Sequence, residues 1–106
     1  MIDAATVGDI VAQYEKHGWV LRRALLSHDG VNASLKILEG IQIEPSDFDA
    51  LWFSRKSKPD SEAWELRRLT GSPFALVAVV STDASSEEVE ATLSQVVEEM
   101  RAKTTA

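Results

Sequence analysis

Ala50-Leu-Trp-Phe-Ser-Arg-Lys56, Ala63-Trp-Glu-Leu-Arg-Arg-Leu-Thr70 and Phe74-Ala-Leu-Val-Ala-Val-Val-Ser81 follow one another with only short breaks, at Lys58-Pro59-Asp60-Ser61 and Gly71-Ser72-Pro73. Runs rich in aromatic and β-branched residues, bounded by Pro, Gly, Asp and Ser, read as strands joined by tight connections. The segment therefore predicts three consecutive strands. The third run carries no charge on either face. A strand apolar on both faces belongs between two covering layers. Helices on both sides would supply them, or helices on one side and a partner chain on the other.

N-terminal to this segment, Val7, Ile10, Val11 and Tyr14 recur at the spacing of one helical face. They predict a helix from about Thr6 to His17, with Thr6 or Asp3 accepting a free backbone N–H at its start. Gly18 suits the left-handed position that ends a helix, and Trp19 then falls where a Schellman cap puts its hydrophobic contact, against Tyr14. A strand is expected from Trp19 to Ser27, then a turn at His28-Asp29-Gly30. Val31–Ile37 alternates apolar and polar and reads as a second strand. The competing reading is a short helix capped by Asn32 and ended by Gly40. Ile41 and Ile43 fit a short strand that Pro45-Ser46-Asp47 breaks.

C-terminal to the segment, Ser85 with Glu88 matches a capping box. Val89, Leu93, Val96 and Met100, widened by Val97, form an apolar stripe. Acids in the first turn and Arg101 and Lys103 in the last complement the helix dipole. Thr104 to Ala106 reads as a frayed end.

The expected architecture is α+β: a mostly antiparallel meander of about five strands, flanked by an N-terminal and a C-terminal helix, as one domain over residues 1–106. With both helices on one face, this is a two-layer sandwich. Its other face is then apolar, and burial of that face in a homodimer is expected, because large apolar patches are rare on monomers.

Composition sets further bounds. At 106 residues and 44% hydrophobic, the chain can bury a core without a staple. It has no cysteine, which excludes disulfides, thiolate catalysis and zinc–thiolate sites. No basic-then-apolar leader opens it and no apolar run reaches membrane-spanning length, so the expectation is a cytoplasmic protein with no membrane contact. A net charge of −6 argues against nucleic acid as a partner. The charge is uneven: Arg22, Arg23, Lys36, Arg55, Lys56, Lys58, Arg67 and Arg68 make the sheet more basic than the helices.

Three groups are candidate sites. Trp52 and Trp64, on adjacent strands, form either an aromatic platform for a ligand or a cross-strand pair that fixes register; the pair is the expected role. Arg22, Arg55, Lys56, Arg67 and Arg68 either converge on an anion or neutralise neighbouring acids and guard strand edges. With the two tryptophans, Arg22, Arg55, Arg67 and Arg68 are the ligand-binding candidates. Finally, Asp49 ahead of one strand and Glu65-Leu-Arg67 on the next resemble the acid and Glu-x-basic motif of metal-dependent nucleases. That resemblance implies a divalent ion held by two carboxylates. The chain departs from it: Arg67 stands where a lysine belongs and cannot act as a base, and Pro59-Asp60 falls in a turn. His17 and His28 lack ligand spacing, so no metal and no cofactor are expected.

The expected function is therefore that of a non-enzymatic interaction or scaffolding module, homodimeric through its sheet and open to a protein partner. Binding of a small anionic ligand is the alternative, and a nuclease-like enzyme the remote one.

Overall fold

The computed structural model describes residues 4–27, 38–69 and 74–105. The elements run α1 (Ala4–Lys16), β1 (Val20–Leu26), β2 (Gln42–Pro45), β3 (Ala50–Lys58), β4 (Ser61–Arg68), β5 (Ala75–Ser81) and α2 (Ser86–Thr105). The five strands form one sheet in the order β2-β1-β3-β4-β5. All neighbours are antiparallel except β1 and β2, which run parallel. The α+β class, the mostly antiparallel sheet and the terminal helices are as the sequence predicts. The turn at His28-Asp29-Gly30 and the strand or helix at Val31–Ile37 lie outside the described residues.

Two expectations change. The strands are not a simple meander, because β1 pairs with β3 while β2 lies parallel on its other side. And the helices stand on opposite faces. Val7 and Val11 of α1 pack with Ala24, Leu26, Leu51 and Phe53. Leu93, Val96 and Met100 of α2 pack with Leu25, Trp52, Trp64 and Leu66. Successive strand residues point to opposite faces, so Leu51 and Phe53 meet α1 while Trp52 meets α2. The arrangement is helix–sheet–helix rather than two layers.

Local chemistry accounts for the helix ends. Gly18 has φ +88°. Trp19 N–H donates to Tyr14 O at 3.0 Å and Gly18 N–H to Glu15 O at 3.0 Å, the bond pattern of a Schellman cap. The Tyr14 and Trp19 rings meet edge to face, 6.0 Å between centroids. At the start of α2, Glu88 N–H donates to Ser85 Oγ at 3.2 Å, and Ser85 N–H faces Glu88 Oε1 at 3.5 Å, as a capping box requires. Helix α1 begins at Ala4, earlier than the expected Thr6.

Candidate functional site

The two helices among the described residues cover the sheet unequally. The rows of the α1 face, read across β3, β4 and β5, are Leu51–Arg67–Ala75, Phe53–Glu65–Val77 and Arg55–Ala63–Val79. Helix α1 packs on the β1 and β3 ends of these rows. Toward β5 the rows run out into solvent: Val77 is 56% exposed and Val79 59%. On the other face, Leu76, Ala78 and Val80 pack against the cluster under α2. The expectation that both faces of this strand are buried thus holds within the chain for one face only. The two parities of the strand explain which: Phe74, Leu76, Ala78 and Val80 carry more bulk than Ala75, Val77, Val79 and Ser81, and the bulkier set faces the helix. Glu65 and Arg67 on the adjacent strand share the open face. That pairing is the sequence signal that this face is not a dry core.

The two edges of the sheet also differ. Strand β2 is four residues long and carries Glu44 and Pro45, features that discourage further pairing. Strand β5 is seven residues long, with no charge and no proline.

The candidate ligand-binding residues fall on both faces. Trp52 and Trp64 meet edge to face at 6.1 Å under α2, both buried. They are diagonal neighbours, since Trp52 pairs with Leu66 and Trp64 with Ser54. A register irregularity between Leu21 and Arg23 accompanies an unusual placement: the Arg22 and Arg23 guanidinium groups lie 5.4 and 5.7 Å from the same Trp64 ring, although side chains of successive strand residues ordinarily diverge. Arg68 approaches the Phe74 ring at 5.8 Å. Arg55 and Arg67 belong to the opposite face. Arg55 donates to the His17 carbonyl at 2.9 Å and stacks over Trp19 at 4.7 Å, so it satisfies a helix-end acceptor. The Nε atoms of Arg67 and Arg68 are buried and, among the described residues, have no partner.

The acidic candidates are engaged locally. Asp49 is buried and accepts from Ser27 N–H at 2.8 Å and Ser27 Oγ at 3.0 Å. Glu65 accepts from the Tyr14 hydroxyl. Burial first, and then this hydrogen bond, push the Tyr14 phenol well above its ordinary value, while Arg67 pulls the other way. Asp49 precedes by four residues Phe53, the partner of Glu65; at the rise of a strand that separates the two backbones by about 13 Å. Among the described residues no three His, Asp or Glu side chains are placed to hold a metal ion.

One groove lies on the α2 side, between that helix and the β1–β2 edge. Its volume is about 160 Å³, below the roughly 300 Å³ at which small-molecule sites begin. Its arginines are already engaged: Arg23 by Glu90 at 2.9 and 2.5 Å, Arg101 by Asp47 at 3.0 Å. No helix among the described residues is long and apolar enough to cross a membrane.

No protein-family model, no curated protein and no solved structure matches this chain.

Proposed function

We propose that this chain is a non-enzymatic interaction or scaffolding module that assembles as a homodimer through its sheet. The observation that carries this reading is the exposure of Val77 and Val79 on a long, uncharged strand at the margin of the sheet. Leaving large apolar side chains in water forgoes about 1.5–3 kcal/mol for each one fully buried, so a second surface that covers them is favoured. A cytoplasmic setting goes with this reading, on the composition already given.

The disposition of the polar residues supports it from the other side. Arg55, Asp49, Glu65 and Arg23 are engaged in bonds that hold helices and strands together. The anionic-ligand alternative draws less support, because its arginines divide between two faces.

Light scattering coupled to size exclusion tests the proposal. The wild-type mass is expected to rise toward twice the chain mass with concentration. Val77→Asp is expected to stay monomeric and folded by circular dichroism, since its side chain is exposed. Leu76→Asp, on the helix-facing side, is expected to unfold, because an unpaired buried carboxylate costs several kcal/mol. A wild-type monomer at the highest reachable concentration would refute the proposal.

A further inference from the structure

We infer that the second copy docks edge to edge, with β5 antiparallel to β5 about a twofold axis at Ala78, so that two sheets continue as one. This rests on the sheet-mediated assembly proposed above and specifies its geometry: Val77 and Val79 are covered at their flanks, by the partner's Val79 and the partner's Val77, rather than by a surface stacked on the open face.

The backbone determines which groups are available. Arg68 N–H donates to Phe74 O at 3.0 Å and Thr82 N–H to Asp60 O at 2.9 Å. Hydrogen-bonded pairs alternate along an antiparallel ladder, so the even-numbered residues of β5 turn their N–H and C=O groups toward β4. The odd-numbered ones, Ala75, Val77, Val79 and Ser81, turn theirs outward. These are also the residues whose side chains occupy the open face. In antiparallel self-pairing, outward groups must meet outward groups, so odd residues must oppose odd ones. Of the registers that satisfy this, the one centred on Ala78 overlaps the whole strand, Ala75–Ser81. It sets Val77 opposite the partner's Val79 and Ala75 opposite the partner's Ser81. Each such pair exchanges two bonds, about eight in all, and Ala78 meets its own copy in a close pair, about 4.5 Å between Cα atoms.

Self-complementarity selects a second copy as the occupant: it brings an uncharged edge of the same length with its outward groups in the same register. A net charge of −6 opposes self-association, but Ala75–Ser81 carries none of it, so no like charges are brought into opposition at the paired edge. Strand β2 offers no comparable edge. A strand of this length spans about 24 Å, so an interface of this edge alone falls below the roughly 1,200 Å² of a standard stable complex. The dimer is accordingly reversible on dilution, and added salt strengthens it by screening the net charge.

Because the chain has no cysteine, Ala78→Cys carries a single thiol. At about 4.5 Å the two Cα atoms lie within the roughly 4.4–6.8 Å that a disulfide spans. Under oxidised glutathione, Ala78→Cys is expected to form covalent dimer at least tenfold faster than Ser57→Cys, whose thiol sits on the exposed end of the β3–β4 hairpin. Val77→Pro, which removes only an outward N–H, is expected to stay folded and to weaken dimerisation at least tenfold. If Ala78→Cys fails to fold, Val77→Pro decides. A wild-type dimer whose Ala78→Cys variant cross-links no faster than Ser57→Cys, or whose Val77→Pro variant dimerises unchanged, overturns the edge register and leaves sheet-mediated assembly standing. A wild-type monomer at every concentration overturns both.

Discussion

Tyr14 is the only tyrosine in the chain, and it links α1 to the open face of the sheet. Its ring stacks on Phe53 with centroids 4.0 Å apart, and its hydroxyl donates to Glu65. Tyr14→Phe keeps the ring and deletes only the hydrogen bond. A bond to a charged acceptor contributes about 1.5–3 kcal/mol. Water competes at a half-buried pair, so the lower end applies, about 1.5 kcal/mol. In a chain of this size that corresponds to a fall in Tm of roughly 6–12 °C, read by circular dichroism. The pH dependence is the sharper assay. The phenol is raised in the folded state, by burial first and by Glu65 second, whereas in the unfolded chain it ionises near pH 10. Above that pH the unfolded state loses the proton first. The contribution of Tyr14 is thus fully present below about pH 10 and is lost as pH rises beyond it. The wild-type advantage over Tyr14→Phe should shrink accordingly. Tyrosinate absorbance should appear later in the native than in the denatured protein. A native titration that coincides with the denatured one, together with an unchanged Tm in Tyr14→Phe, would refute the link to Glu65.

Other perturbations test the frame around the site. Gly18→Ala adds a Cβ that meets nothing within 4 Å, so its cost is that of the left-handed backbone alone, about 1 kcal/mol, read by thermal melting. Ser85→Ala removes the cap of α2 and should cost about 1 kcal/mol, with lower helicity at the midpoint of denaturation. Leu66→Ala hollows the α2-side core at a fully buried position; a loss of about 2–5 kcal/mol is expected in chemical denaturation.

Much of the frame was legible because its signals are local. The Gly18–Trp19 stop, the Ser85–Glu88 cap and the stripe of α2 each depend on residues within a turn or two, and each forms as the sequence implies. The alternation that groups Leu51, Phe53 and Arg55 on one strand, and Ala63, Glu65 and Arg67 on the next, also follows from period two, whereas the register that brings the two sets to one face does not. What was not legible depends on chain topology. Nothing local assigns α1 and α2 to opposite faces, and the parallel placement of β2 beside β1 is set by long-range closure. The same limit applies to β5. Its apolar residues show that the strand wants cover, whereas only the strand order shows that it stands at the margin, beyond the reach of α1. The arginines mislead for a related reason. Near one another in sequence or register, Arg67 and Arg68 divide between faces by parity, a register irregularity carries Arg22 to the Trp64 ring, and Arg55 closes a helix end instead.

Hydrogen exchange of the unmodified protein at several concentrations tests the assembly most directly. The amides of Val77 and Val79 point away from β4, whereas that of Ala78 points toward it. Val77 and Val79 are expected to exchange rapidly in dilute solution and to become protected as concentration rises, while Ala78 is slow throughout. Rapid exchange at Val77 and Val79 at every concentration would contradict that assembly.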